Sequence, residues 1–213
     1  LDPGLPSYPI QAAGNITLVS NGQISGDTHF SAGGSFDLRT LAGNAGEFLS
    51  FYDPIISSGA DVRFGDYTGV SLKVEAAGAI FGGDINITGP DTTLANSTDA
   101  DAATMSSSAA LILRSGEQPA NPANIPPNLN AGGTGFNASS AASGNNILVA
   151  GITTAGGPVI VESAGTLGLN DINTAGGNVT LNAAGDINIA NVVNSSGGNI
   201  DITTGNFLRT RGS

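Results

Sequence analysis

The chain has 213 residues, with 17 acidic side chains against six basic ones, a net charge of −11, no cysteine and no tryptophan. That balance argues against nucleic acid as a partner, which needs an extended basic face, and it excludes disulfides and thiolate chemistry. No stretch reaches the roughly 18 consecutive apolar residues of a membrane span.

Residues 1–13, "LDPGLPSYPIQAA", are Pro-containing and read as an irregular linker. They show neither an initiator Met nor a charged-then-apolar leader, so the chain reads as a piece of something longer. From Gly14 a repeat begins: "GNITLVSNGQISGDTHFSAG" is followed 20 positions on by "GSFDLRTLAG", which puts Ile16 over Phe36 and Leu18 over Leu38. The phase then loosens, with strand-like segments expected at 62–64, 70–74 and 85–87. "AAGAIFGGDINIT" there echoes "AAGDINIA" at 183–190.

Residues 90–144 break the pattern. They hold the acidic run "PDTTLANSTDADAATMSSS", one strand-like stretch around 111–113, and a Pro-rich tract that cannot donate to a sheet ladder. The segment reads as a lateral excursion around a single coil. Helical periodicity is convincing nowhere.

Beyond it the repeat is regular. Gly156-Gly157, Gly176-Gly177 and Gly197-Gly198 recur at 20 and 21 residues, and steps of 20 superimpose Ile147, Leu167, Ile187 and Phe207, then Ile152, Ile172 and Val192. Val159 meets Val179 and, one residue out of phase, Ile200; Val161 meets Leu181 and Ile202. The slip lies in "VVNSSGG". Apolar residues alternate with Asn, Thr, Asp or Gly, the pattern of strands with one buried face. Each strand offers only two or three inward side chains, too few for a core of its own, so the units must stack. The expected fold is all-β: a right-handed parallel β-helix, or β-solenoid, of about 20-residue coils spanning 14–213 as one domain, with one large loop excursion within 90–144.

The segments "GNITLVSNGQISG", "TAGGNVTLNAAGDINI" and "AAGDINIANVVNSSGGNIDITT" resemble repeats of filamentous-haemagglutinin-type exoproteins of two-partner secretion, and "FYDPIISSGADVRFGDYTGVSLKVEAAGAI" resembles a segment of their cyanobacterial members. The resemblance implies a β-helical stalk, exported through an outer-membrane pore partner and displayed or released as an adhesin or surface-filament component. It carries over no catalytic residue.

Several stretches carry residue types that could do chemistry. Asp27, His29 and Ser31 alternate on one strand, but residues two apart lie about 6.5–7 Å from each other, too far for a relay. Asp53, Asp61, Asp66 and Glu75, with Arg63 and Lys73 as nearby cations, could mark a polysaccharide-processing cleft or simply charged outer faces. "DADAAT" from Asp99 begins like a calcium loop but has Thr104 where Gly is needed and Ala110 in place of the bidentate Glu, which leaves only incidental calcium in 91–101. "GTGFNA" from Gly133 follows no strand and opens no helix, so it is not a dinucleotide fingerprint. The sequons at Asn15, Asn86 and Asn178 read as outward strand residues, as do Thr17, Thr88, Thr180 and Thr203, too scattered for a regular binding array.

The expected function is therefore non-catalytic: a secreted or cell-surface structural or adhesive stalk, with no catalytic, cofactor or metal site. Its partners would be a surface or matrix glycan or protein, the secretion pore during export, and other copies stacking end to end. The alternative is a polysaccharide-processing or polysaccharide-binding β-helix.

Overall fold

A computed structural model describes residues 10–97, 99–116 and 144–211. Three parallel sheets wind around one axis: two of eight strands and one of seven, each ordered by every third strand in sequence. This is a parallel β-helix. The first sheet runs from Ile10–Ala12 to Ile200–Thr204, the second from Ile16–Val19 to Leu208–Thr210, the third from Ile24–Ser25 to Val193–Asn194. Adjacent rungs are about 4.8 Å apart, so the first and last lie roughly 34 Å apart.

Each rung buries its alternate residues against the rungs above and below. Val159, Val179 and Ile200 align in the first sheet, as do Val161, Leu181 and Ile202, and Ile16 aligns with Phe36 in the second. At the amino-terminal end the axis is filled by Phe30, Phe36, Phe48 and Tyr67, whose neighbouring ring centroids are 5.1 to 6.1 Å apart. Toward the carboxyl end the filling is aliphatic, mostly Ile, Leu and Val with Ala183.

The Gly-Gly pairs do two jobs. Gly176 turns with φ +105°, open to glycine at little cost. A Cβ on Gly177 would sit 1.9 Å from the Gly157 carbonyl oxygen, so the second glycine lets one coil settle on the next. Asn and Asp at the corners add a register pin. Asn146 Oδ1 accepts the Thr166 N–H at 2.8 Å, 20 positions on, and Asn178 Oδ1 accepts the Asn199 N–H at 2.9 Å, 21 positions on.

Several expectations need correction. The first strand begins at Ile10, inside the segment read as linker, because Ile10 and Ala12 stack under Phe30 and Ala32. The stretch 70–74 is not one strand. Tyr67–Val70 belongs to the third sheet and Leu72–Ala76 to the first, with the chain bending at buried Ser71, whose hydroxyl bonds the Ser108 carbonyl at 2.7 Å and the Ala110 N–H at 3.0 Å. In the last coil Leu208, not Phe207, stacks on Ile187, and Val193, not Val192, stacks on Ile172. The extra residue lies within 190–192, ahead of the Ser195 turn, because Ile189 still stacks on Leu169 at 20 positions while Val193 stacks on Ile172 at 21, and it shifts both rows by one.

The described part of the excursion carries two short helical turns. Thr92–Asn96 forms a 3-10 turn and Ala102–Ser107 (α1) a short α-helix, neither expected from periodicity. A helix of six residues is too short to display one, and Met105 and Ala102 supply its buried side. The "GTGFNA" stretch lies outside the described residues.

Candidate functional site

Strand residues that point away from the axis would ordinarily meet water. On the first sheet several do not. Ile55, Lys73, Ile112 and Ile160 form one outward row, and Ser57, Glu75, Arg114 and Glu162 the next. The turn Thr92–Asn96 and α1 lie over these rows, and Leu94, Ala102, Met105 and Ala110 join Ile55 and Ile112 in a second, smaller core.

Lys73 is fully buried at the centre of this cover. Its Nζ lies 2.8 Å from Asp99 Oδ2, 2.9 Å from Asp101 Oδ2 and 3.2 Å from Glu75 Oε1. Arg114 completes the network, with Nη1 2.6 Å from Asp101 Oδ2 and 3.3 Å from Glu75 Oε1, and Nε 2.7 Å from Glu162 Oε2. Burial opposes the Lys73 charge, yet the field of Glu75, Asp99 and Asp101 outweighs it, and the ammonium is held above its ordinary value. Burial likewise opposes ionisation of Asp101, but hydrogen bonds and charge from Arg114 and Lys73 keep its carboxyl below the usual range. Ammonium and guanidinium stay charged and tied to carboxylates. The arrangement clamps the excursion onto the sheet.

Asp99 and Asp101, in the stretch that only begins like a calcium loop, join Glu75 and Glu162 as the anions of a salt-bridge cluster and already face cations. Among the described residues no group of three or more His, Cys, Asp or Glu is placed to hold a metal ion.

Asp27, His29 and Ser31 do not converge. Asp27 Oδ1 caps the next corner, accepting the Phe51 N–H at 2.6 Å and the Tyr52 N–H at 3.2 Å. His29 Nε2 pairs with Asp53 Oδ1 of the following coil at 2.5 Å, and Ser31 is buried beside Ser57 in the sheet. Asp53 adopts a left-handed φ of 59°, and its N–H bonds to Asp91 Oδ2 at 2.5 Å. Asp91, 1% exposed, is pushed up by burial and is held by the Thr93 N–H at 3.1 Å. The chain His29, Asp53, Asp91, Thr93 therefore ties the root of the excursion to two lower corners.

The carboxylates Asp53, Asp61, Asp66 and Glu75 separate into different tasks. Asp61 Oδ1 accepts the Ala79 N–H and Asp66 Oδ1 the Asp84 N–H, both at 2.9 Å, as corner pins; Asp53 pairs with His29, and Glu75 joins the Lys73 cluster. Asn15 and Asn178, read as outward strand residues, prove to be corner pins too. Sequence reading missed the Lys73 and Arg114 cluster. Its signal was present: Lys73 and Arg114 sit at outward strand positions on either side of the acidic run at 91–101, in a chain with few cations. Thr180 and Thr203 lie in adjacent outward rows of the first sheet, while Thr17 and Thr88 lie on the second and third, so no common array forms.

No helix among the described residues is long and apolar enough to cross a membrane. No family model, curated protein or solved structure matches the chain.

Proposed function

We propose that this chain works as a structural or adhesive stalk at a cell surface or in the extracellular space, a rod whose task is reach and contact rather than bond-breaking. The observation that carries this reading is the use of the charged and polar groups. His29, Lys73, Arg114, Asp61, Asp66 and Asp101 are all engaged in bonds that fasten one coil to another or the excursion to the sheet. A reaction centre needs such groups converging on an open cleft. Here they are spent on stiffness, and every strand in the axis stacks in parallel on its neighbours. The repeat resemblance supports export through an outer-membrane pore and display as an adhesin or filament component.

The test has two arms. Incubation with a panel of acidic and neutral polysaccharides is expected to release no new reducing ends and no unsaturated sugars, and limited proteolysis is expected to spare 144–211 as a resistant fragment. Turnover of any glycan would overturn the reading in favour of a polysaccharide-processing β-helix. Immunolabelling of intact producing cells should place the chain outside them.

A further inference from the structure

The six basic side chains are sorted by the fold into two groups. Lys73 and Arg114 lie beneath the excursion. The other four, Arg39, Arg63, Arg209 and Arg211, all line the outer face of the second sheet. In a chain of net charge −11, the cations that reach solvent thus share a single face. One outward row crosses that face rung by rung, from Thr17 through Asp37, Arg63, Phe81 and Leu148 to Arg209 at the far end.

Two hollows lie along it. One, of about 590 Å³, contains Arg39, Arg63 and Phe81; the other, of about 570 Å³, contains Leu148, Arg209 and Arg211. They adjoin where Phe81 and Leu148 stack in register, and Leu148 is 43% exposed. Arg39 is paired with Asp37 and Arg209 with Asp186. Arg63 and Arg211 are exposed and form no ion pair among the described residues, so their forks are open to an external anion. From Arg63 to Arg209 is five rungs, about 24 Å at the strand spacing.

We propose that this face binds a linear acidic polysaccharide laid along the helix axis. Arg63 and Arg211 take carboxylate or sulfate groups, and Phe81 and Leu148 take the apolar faces of sugar rings between them. The proposal rests on the adhesive reading above and names the partner class for it. Charge density favours a glycan over nucleic acid. A duplex carries a charge every ~1.7 Å and its binders commonly neutralise about six to ten phosphates, whereas this strip offers two unpaired guanidinium groups on a strongly acidic protein.

The test is titration calorimetry of the intact chain against polygalacturonate, heparin, dextran and oligo(dT). Binding is expected for polygalacturonate, heparin or both, which separates carboxylate from sulfate recognition. It should weaken as salt rises from about 0.05 to about 0.5 M. Arg63→Ala should weaken it about tenfold, the loss of one charge-assisted fork, with Arg63→Lys partly restoring it. Asp201→Ala, on the outer face of the first sheet, should leave it unchanged, and circular dichroism should show all three variants folded. The proposal is overturned if neither acidic polymer binds, if dextran or oligo(dT) binds as tightly as the acidic glycans, or if Arg63→Ala binds like the parent. None of these outcomes bears on glycan cleavage or protease resistance, so the stalk reading stands or falls separately.

Discussion

One outward row of the first sheet passes through two different regions of the molecule. Beneath the excursion it reads Ile55, Lys73, Ile112 and Ile160, and toward the carboxyl end it continues as Thr180 and Asp201. The strand geometry is the same in both. Only the cover differs, and with it the chemistry that each position tolerates. In the covered region stability comes from particular partners: a buried ammonium, a guanidinium and the carboxylates around them. Beyond it, stability is distributed over near-identical rungs with glycine corners and Asn or Asp pins, so each coil depends mainly on its two neighbours.

The contrast can be broken most directly at Lys73. Lys73→Met removes the cation and leaves Asp99, Asp101 and Glu75 in a buried site, which should destabilise the covered region by about 3–5 kcal/mol. Urea unfolding should show it, and pairing the change with Asp99→Leu and Asp101→Leu should recover much of the loss. In the uncovered region Gly177→Ala is the counterpart. The new methyl group meets the Gly157 carbonyl, so the coils must separate locally, at about 1–3 kcal/mol. Hydrogen exchange should report that loss around 157–179 and leave the covered region protected.

Acid should sharpen the comparison with a smaller effect. The Asp101 carboxyl is held below its ordinary value, so its contribution is fully present above the unfolded value of about 3.9 and is lost as pH falls through the folded one. Lys73 is held above its ordinary value, so its contribution is present below about pH 10.4 and is lost as pH rises through the folded one. Exchange protection of 99–115 should therefore fall in acid before that of the aliphatic rungs at 159–183. Equal loss in both regions would mean that the salt-bridge cluster is not what fastens the cover.

The periodic coils were legible because their rule is local. Val159 over Val179 and Val161 over Leu181 follow from counting, and the phase slip at Ile200 was visible too. The same counting failed at Phe207 and Val192, where a single inserted residue moved the stacked positions to Leu208 and Val193. It also equated two segments that differ. "DINI" at 84–87 lies in the third sheet and aligns through Gly151–Thr154 with Asp171–Thr174, whereas "DINI" at 186–189 lies in the second. A tetrapeptide with the right alternation fits any of the three sheets.

Sequence alone determined that this chain is a stack of short, one-sided strands, because alternation and a 20-residue period leave each unit unable to bury a core by itself. It also showed which segment leaves the stack. Tertiary structure decided where the part of it at 91–110 goes, since folding back over the first sheet depends on contacts between residues such as Lys73 and Asp99, 26 positions apart. It decided, too, that the remaining arginines share one face, for a strand's face is set by the alternation of its pleat, but which faces of distant strands coincide is set only by the winding of the coil.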